Sequence, residues 1–277
     1  MPITELEAHT ALADGDELLP WAVSRAPQLC RIFNVFSLVP NLSGPTLDIG
    51  SGGASFFRLL RSYSPHLLPY SCADLEGGEI QLNNTRITIH PFTCDRDRLP
   101  VDTNSVGLAF LCDVLEHLLV DPVWTLLEVN RVLRPGGHFV ISTPNATSID
   151  RVLTMLAGEH PGMESQYKPT GIYDRHNREW TANEVIECLG GLGFKLLLWD
   201  SNFSSLSPLA KELLTELRRI QLVRLDNVFF GPDLVFVFEK VEHHTIDSLE
   251  DPKRRWPTFL YTGFECYRRR PERFPLL

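Results

Sequence analysis

The 277-residue sequence lacks the long apolar runs and the repeats that mark several large protein classes. No stretch approaches the roughly 18 uninterrupted apolar residues that a membrane helix requires. The first residues are acidic and lack the basic flank and apolar core of a secretory signal, so we expect no leader. Internal repeats and low-complexity segments are missing as well. These absences exclude collagen-like and membrane-spanning classes and favour a soluble globular protein with a large core.

Cysteine is present but sparse, and its spacing excludes two kinds of cross-linked structure. The six cysteines lie far apart, with no Cys-x-x-Cys pair and no paired histidine spacing. Zinc sites and disulfide frameworks normally show such spacing. The sequence therefore predicts no metal site and no disulfide framework, and it favours the reducing cytoplasm.

Positive charge is scarce outside residues 253–277. Seven of the 26 Lys and Arg residues and two of the 35 Asp and Glu residues lie there, which leaves 19 basic and 33 acidic residues, a formal −14, for residues 1–252. Such a body repels phosphate groups. We therefore expect a small-molecule substrate, with neither nucleic acid nor a membrane as partner.

The basic residues near the end of the sequence are mixed with aromatic ones, from Trp256 to Arg270. This mixture fits a clamp on a phosphorylated substrate, a nucleic-acid contact, or docking on the acidic body. We favour docking, in the same subunit or in a second copy. In the second case residues 241–277, the predicted C-terminal tail, would support a homodimer.

From residue 46 onward, apolar runs typical of buried strands alternate with helical patterns. Strands that alternate with helices form βαβ units, so we predict an α/β fold with a mostly parallel, doubly wound sheet. A helical cover at 1–45, a catalytic domain at 46–240 and a lid-like insertion at 146–180 complete the predicted organisation. The seven predicted strands are Thr46–Gly50, Tyr70–Asp74, Thr85–His90, Val106–Cys112, His138–Thr143, Phe194–Trp199 and Leu234–Phe238.

A glycine turn follows the first predicted strand, in Asp48-Ile49-Gly50-Ser51-Gly52-Gly53-Ala54. Glycines permit a tight turn and let a ligand approach the backbone closely. Two further acids end the next strands: Asp74 is placed to accept both hydroxyls of a ribose, and Asp95 to accept from an adenine amino group. Because the carboxyl ends of parallel strands share one edge of the sheet, the three acids together point to an adenosine ligand.

These segments resemble the class I S-adenosylmethionine-dependent methyltransferases of the small-molecule type. The first motif of that family is an acidic residue followed by Gly-x-Gly-x-Gly. Asp48, Gly50 and Gly52 match it, and Ala54 stands where the third glycine is usual. The resemblance covers about residues 46–145 and continues through Leu111-Cys112-Asp113-Val114-Leu115-Glu116-His117 and Arg131-Val132-Leu133-Arg134-Pro135-Gly136-Gly137.

The resemblance implies a Rossmann-like sheet whose last strand is antiparallel, with S-adenosylmethionine as the cofactor. In the family the glycine turn lies against the methionine part of the cofactor, and the position matching Cys112 touches it largely through the backbone. The predicted cofactor-binding residues are Asp48, Gly50, Ser51, Gly52, Asp74, Leu75, Asp95, Cys112 and Asp113.

A nicotinamide dehydrogenase is the competing interpretation, since Gly50-x-Gly52 also begins a dinucleotide fingerprint. The last glycine of that fingerprint would fall at Ser55, and no Tyr-x-x-x-Lys pair is present. Both departures favour the methyltransferase.

Methyl transfer to a hydroxyl needs a base, and two histidines are candidates. His117 follows the fourth predicted strand, although a packing role fits it equally well. His176 lies in a stretch of ionisable and hydrogen-bonding residues, Tyr173-Asp174-Arg175-His176-Asn177-Arg178-Glu179. A solvated loop is the alternative for that stretch.

The acceptor is predicted from weaker signals. The Asn/Asp-Pro-Pro-aromatic motif of adenine and glutamine methyltransferases is absent, and Ser142-Thr143-Pro144-Asn145 stands after the fifth strand. Thr-Pro-Asn with a later His-x-Arg-x-aromatic-Thr segment is similar to methyltransferases of bacterial saccharides. We predict a sugar hydroxyl as acceptor, with Asn145, Tyr173 and Arg178 as substrate contacts. For Asn145 a structural role in a turn is the favoured alternative. The alternatives are a natural-product or quinone-like hydroxyl, or a non-catalytic cofactor-binding partner protein.

Overall fold

The computed structural model describes residues 2–13, 23–82, 85–119, 122–161, 172–221 and 226–244. Part of the predicted lid-like insertion, residues 162–171, lies outside these residues. So does most of the predicted tail, with its proposed homodimer contact.

The described part of the chain holds an eight-stranded sheet in the order β3-β4-β2-β1-β5-β6-β8-β7. Strands β1, β2, β4, β5 and β6 pair in parallel, whereas β8 runs antiparallel to β6 and to β7. The strands are β1 Thr46–Ile49, β2 Tyr70–Asp74, β3 Gly78–Leu82, β4 Thr85–Pro91, β5 Val106–Cys112, β6 Leu133–Pro144, β7 Phe194–Ser201 and β8 Asp233–Lys240.

The Rossmann-like fold and the antiparallel last strand are confirmed, but the predicted count of seven strands is wrong. The additional strand is β3, which forms an antiparallel edge pair with β4. Its Glu79 and Ile80 alternate in the manner of a half-exposed strand, and Glu79 is exposed. A search for buried apolar runs misses such an edge strand.

Helices cover both faces of the sheet because successive side chains of each strand point to opposite faces. On β5, Leu108 and Phe110 pack with α1, α2 and α3, whereas Ala109 and Leu111 pack with α4 and α6. All four side chains are fully buried. The helices are α1 Glu5–Ala13, α2 Ala26–Phe36, α3 Ser55–Tyr63, α4 Pro122–Val132, α5 Ile149–Leu156, α6 Ala182–Gly191 and α7 Pro208–Arg219.

Helix α6 begins with a capping box. The Thr181 hydroxyl accepts from the Glu184 amide at 3.2 Å, and the Glu184 carboxylate accepts from the Thr181 amide at 2.9 Å. This cap fixes where the segment carrying His176 enters the fold.

Strand order reverses between β1 and β5, because the chain runs outward from β1 to β2 and returns to the other side of β1 at β5. Ligands of open α/β sheets bind at such a point, outside the carboxyl ends of the strands. Among the described helices, none is long and apolar enough to span a membrane.

Candidate functional site

A cavity of about 670 Å³ opens at the carboxyl ends of β1, β2 and β5. It joins two groups of residues that lie far apart in the sequence. We call Gly50, Gly52, Asp74 and Leu75 the glycine end, and His117, Tyr173 and His176 the histidine end. The remaining lining residues are Arg25, Phe92, Cys94, Cys112, Asp113, Val114, Leu118 and Asp174.

The glycine turn takes up left-handed backbone conformations that only glycine adopts freely. The φ angles are 71° at Gly50, 49° at Gly52 and 78° at Gly53. A Cβ at Gly50 would overlap Cγ2 of Val114, so a larger residue at this position would force Val114 to move. Ala54 also has a positive φ, 57°, which shows why a third glycine is usual there and that alanine is accommodated.

Asp74 ties the turn to the end of β2. One carboxylate oxygen accepts from the Gly52 amide at 3.1 Å and the other from the Leu75 amide at 2.7 Å. Each oxygen has a further lone pair that a ribose hydroxyl can use. The glycine end therefore has a close-approach turn and an acceptor carboxylate side by side, which are the two features that the sequence predicts for a cofactor site.

Asp48 and Ser51 support the turn from behind the main cavity. Both are buried, and both line a smaller pocket next to Gly50. The Tyr70 hydroxyl donates to the Asp48 carboxyl. Burial raises the pKa of Asp48 to about 7, with a smaller contribution from the nearby charge of Asp74.

Asp95 lies beside the cavity, behind its lining residue Cys94. Both of its carboxylate oxygens accept from the Leu119 amide at 3.2 Å. The contact joins the segment after β4 to the segment after β5. The sequence predicts that Asp95 accepts from an adenine amino group. In the structure its carboxylate accepts from the Leu119 amide and so positions the segment after β5.

Arg25, which the sequence analysis missed, reaches the cavity from the segment just before α2. Its guanidinium forms an ion pair with Asp113. Gln28 donates to the same carboxylate at 2.7 Å, and the Ser142 hydroxyl donates to the other oxygen at 2.8 Å. Asp113 itself has a positive φ of 55°. No local pattern around Arg25 reveals this contact, because its partner lies 88 residues away.

Cys112, at the end of β5, lines the cavity beside Asp113. Burial raises the pKa of its thiol far above the ordinary value. The thiol is therefore neutral at physiological pH, and Cys112 belongs to the wall of the cavity.

The two predicted base candidates meet at the histidine end. The rings of His117 and His176 lie with their centroids 4.9 Å apart and their planes at 84°. The sequence places these residues in separate segments. Asn177 joins them: its amide donates to the Glu116 carbonyl at 2.7 Å, and its side chain donates to the His117 carbonyl at 2.8 Å.

Hydrogen bonding fixes the tautomer of His117. Its Nδ1 lies 3.1 Å from the Arg175 carbonyl, which can only accept, so Nδ1 carries a proton. In the neutral ring the lone pair is then on Nε2. Burial, together with the nearby charge of His176, lowers the pKa of His117, so the neutral ring is the prevalent form at pH 7.

His176 is oriented by a carboxylate. Its Nδ1 lies 3.1 Å from Oε1 of Glu179, and the other oxygen of Glu179 is paired with Arg151. A carboxylate at Nδ1 favours a proton there and leaves Nε2 as the proton acceptor or ligand.

Glu116 is a further residue that the sequence analysis did not assign to the site. It is 1% exposed and accepts from the Thr143 hydroxyl at 3.0 Å. Burial raises the pKa of Glu116 to about 7. Its Oε1 lies 4.0 Å from Nε2 of His117. The family motif around His117 was a signal for this residue, since Glu116 directly precedes it.

Of the predicted substrate contacts, Tyr173 lines the cavity, whereas Asn145 and Arg178 do not. The buried Asn145 amide donates to the carbonyls of Phe229 and Gly231, at 2.9 and 2.7 Å. Its oxygen accepts from the amide and hydroxyl of Thr147. Asn145 thus holds a turn together, which is the alternative that its sequence context leaves open.

Arg178 packs against α6 instead of facing the cavity. It donates to Glu184 at 2.8 Å, and its guanidinium lies 4.5 Å from the ring centroid of Trp180. It lines a smaller pocket of about 230 Å³ that also touches His176.

Comparison with known proteins identifies a family for the central part of the chain. Residues 47–141 match the family described as a methyltransferase domain. The chain is 33% identical over 107 residues to malonyl-[acyl-carrier protein] O-methyltransferase of Alcanivorax borkumensis, a match covering 37% of this chain and 36% of that protein. It is 35% identical over 98 residues to a Mycolicibacterium smegmatis protein assigned as an S-adenosylmethionine-dependent methyltransferase, covering 35% and 32%. The chain thus spans about a third of the length of these curated relatives.

The fold extends this likeness over a longer part of the chain. A Haloferax volcanii protein described as a methyltransferase, solved in complex with the Trm112 methyltransferase activator, superposes with a TM-score of 0.52. The two are 16% identical, and the match covers 85% of this chain and 98% of the other. At this identity the likeness establishes the fold.

Proposed function

We propose that this chain, a member of the class I S-adenosylmethionine-dependent methyltransferases through its domain at residues 47–141, transfers a methyl group to a hydroxyl oxygen of a small molecule. One observation carries the proposal. His117 and His176 line the same cavity as the glycine turn and Asp74. A proton acceptor and a nucleoside-binding carboxylate therefore face one enclosed space.

When bound, the cofactor would supply an electrophilic methyl carbon: as the acceptor oxygen bonds to that carbon in line, the carbon–sulfur bond breaks and its electron pair stays on sulfur, which leaves as a neutral thioether. The glycine end binds and orients the cofactor through Asp74 and the close backbone approach at Gly50 and Gly52. We assign Ser51 and Asp48 to the support of that turn, and Leu75, Cys112 and Asp113 to the walls. Asp95 completes the site by positioning the segment after β5.

Proton removal is the task of the histidine end. A hydroxyl must lose its proton as the new bond to carbon forms, and a positioned base accelerates such a step by roughly 10²–10⁴-fold. In both rings Nδ1 is hydrogen-bonded and Nε2 holds the lone pair. We propose that Nε2 of one of these rings, His117 or His176, accepts the proton and that the other ring positions it, so that both are needed for the full rate.

A sugar or saccharide hydroxyl is the acceptor that we propose. Polar groups are present at the histidine end, where Tyr173 and the neighbouring Asp174 line the cavity together with the two imidazoles. The Alcanivorax relative, named as an O-methyltransferase, supports an oxygen acceptor. A quinone-like or natural-product hydroxyl is the alternative, and we place the reaction in the cytoplasm.

A labelled-methyl screen tests the proposal. Purified protein is incubated with S-adenosylmethionine carrying a labelled methyl group and with sugars, nucleotide sugars and phenols in separate panels. We expect label in a sugar. Label in phenols alone would favour the quinone-like alternative, whereas cofactor binding without transfer to any panel would favour the non-catalytic partner protein.

A matched histidine variant controls the screen. His138 lies on β6, where it lines a different pocket. His138→Gln should therefore transfer label at the wild-type rate, while His117→Gln and His176→Gln should not. Wild-type rates in both of the latter variants would remove the proposed base.

A further inference from the structure

Three side chains at the histidine end stand in the arrangement of a metal-binding group. One carboxylate oxygen of Glu116 and one ring nitrogen each of His117 and His176 lie within 4.8 Å of one another. Glu116 is buried, and the two histidines are partly buried beside the cavity. Two imidazoles and a carboxylate form a common ligand set for divalent transition metals.

Each of the three side chains also has the outer partner that metal ligands usually have. The Thr143 hydroxyl donates to Oε2 of Glu116 at 3.0 Å, which turns Oε1 towards His117. Nδ1 of His117 donates to a backbone carbonyl, and Nδ1 of His176 is held by the Glu179 carboxylate. Such contacts fix ring orientation and leave Nε2 for the ion.

We infer that Glu116, His117 and His176 bind a divalent transition-metal ion, and that open coordination positions on that ion receive the acceptor oxygen. Only three protein ligands are present in the described cluster, as in catalytic zinc sites that keep one position open. Those positions would face the cavity, because both histidines line it. The site would thus take acceptors with an oxygen that can bind a metal, such as a sugar hydroxyl.

The distances between the ligand atoms must shorten slightly when an ion binds. Oε1 of Glu116 and Nε2 of His117 are 4.0 Å apart. Two ligands bound at about 2.1 Å to one ion stand roughly 3 to 3.5 Å apart. Small side-chain displacements that keep both Nδ1 hydrogen bonds would close this gap, because both imidazole rings are partly exposed whereas Glu116 is buried.

The cysteine and histidine spacing of the sequence predicts no metal site. The three proposed ligands come from two distant segments, which such spacing does not detect. The ligands are contributed by adjacent residues after β5 and by a single histidine about 60 residues later. The backbone and side-chain contacts of Asn177 bring the two segments together. Short motifs with two ligands on one element do not describe such a site.

The inference rests on the proposed function only in placing the acceptor at the histidine end. A hydroxyl bound to a divalent ion is more acidic, so it releases its proton to solvent water and keeps the electron pair on oxygen. In the loaded protein, Nε2 of each histidine is a ligand, and the ion stabilises the oxygen anion. Proton transfer to Nε2 of a histidine, as proposed above, applies to the protein without a bound ion.

Cobalt binding tests the site without any assay of activity. The protein is stripped with a chelator and titrated with Co²⁺, whose visible absorption reports nitrogen ligands and coordination number, and calorimetry with Zn²⁺ and Mn²⁺ follows. We expect one Co²⁺ per chain in the wild type and in His138→Gln. Glu116→Gln, His117→Gln and His176→Gln should each lose the absorption band. Glu179→Gln should weaken binding roughly 10- to 100-fold.

His176→Gln keeps the test decisive if the variants of Glu116 and His117 fail to fold, because the His176 side chain is partly exposed. Its folding is checked by circular dichroism. No Co²⁺ binding in the wild type, or an unchanged band in folded His176→Gln, would overturn the metal site.

The same experiment separates the two proposals. If the chelator-treated protein transfers methyl groups and fails to bind added Co²⁺, the proposed function stands and the metal site is wrong. Co²⁺ binding that depends on His176, with no methyl transfer to any acceptor, would keep the metal site and remove the proposed function.

Discussion

The two ends of the cavity are built in different ways. The glycine end is local: the turn after β1 and the carboxylate at the end of β2 are held by neighbouring strands, and Asp74 bonds directly to Gly52. The histidine end is assembled from β5, the segment before α6 and side chains of β6. A binding surface common to a whole family can be encoded locally. The histidine end, where we propose that the substrate binds, depends on contacts between distant segments.

The difference implies that the two ends can be disabled separately. Changes at the glycine end should affect cofactor binding, and changes at the histidine end should affect transfer.

The first prediction concerns the double variant His117→Gln/His176→Gln. We expect the transfer rate to fall roughly 10²–10⁴-fold, since the group that activates the acceptor is removed. Cofactor affinity, measured by calorimetry, should be unchanged. A parallel loss of cofactor affinity would show that the two ends are not independent.

Gly50→Ala should destabilise the folded protein, because it strains the backbone of the glycine turn. The positive φ of 71° and the overlap of the new Cβ with Val114 together predict a loss of about 3 kcal/mol in the free energy of unfolding. Gly78→Ala is the matched control, because a Cβ there meets no atom within 4 Å. Denaturant unfolding of both variants measures the difference, and equal stability would contradict the strained turn.

Asn145→Ala distinguishes a structural residue from a substrate contact. Removing the side chain leaves the buried carbonyls of Phe229 and Gly231 without their donor, so we expect a loss of about 2–4 kcal/mol in stability. Asn202→Ala, whose side chain accepts from the exposed Ser204, should change stability by less than about 0.5 kcal/mol. If Asn145→Ala instead keeps wild-type stability and raises KM, Asn145 contacts substrate.

Asp48 predicts a pH dependence of stability. Its pKa of about 7 in the folded protein lies above that of an unfolded aspartate, so the folded state binds more protons between pH 4 and 7. Its contribution to stability is present at low pH and is lost as pH rises through 7.

Between pH 5 and pH 7.5 this loss should amount to about 2 kcal/mol, and Asp48→Asn should remove it. Urea unfolding at several pH values, without cofactor, measures the slope. Glu116 shifts in the same direction and supplies a remaining slope. A variant with the slope of the wild type would contradict the buried carboxyl.

The sequence was sufficient for the glycine end and for the order of layers. The sequence placed Gly50 and Asp74 together, because buried apolar runs predicted the strands that precede them and the carboxyl ends of parallel strands share one edge of the sheet. The sequence did not predict features whose hydrophobic pattern is weak or whose contacting residues lie far apart in the chain. Strand β3 is half exposed, Arg25 meets Asp113 across 88 residues, and Asn145 serves a turn that β8 helps to form. Such contacts depend on tertiary packing, which periodicity does not encode.

Calorimetry with S-adenosylmethionine tests the division of the cavity most directly. Asp74→Ala removes a charged acceptor at the glycine end, so we expect its Kd to rise about 100-fold, as the loss of about 3 kcal/mol in hydrogen bonding implies. The double variant His117→Gln/His176→Gln should bind with the wild-type Kd. Wild-type affinity in Asp74→Ala, or no binding by the wild type itself, would contradict the cofactor site described above.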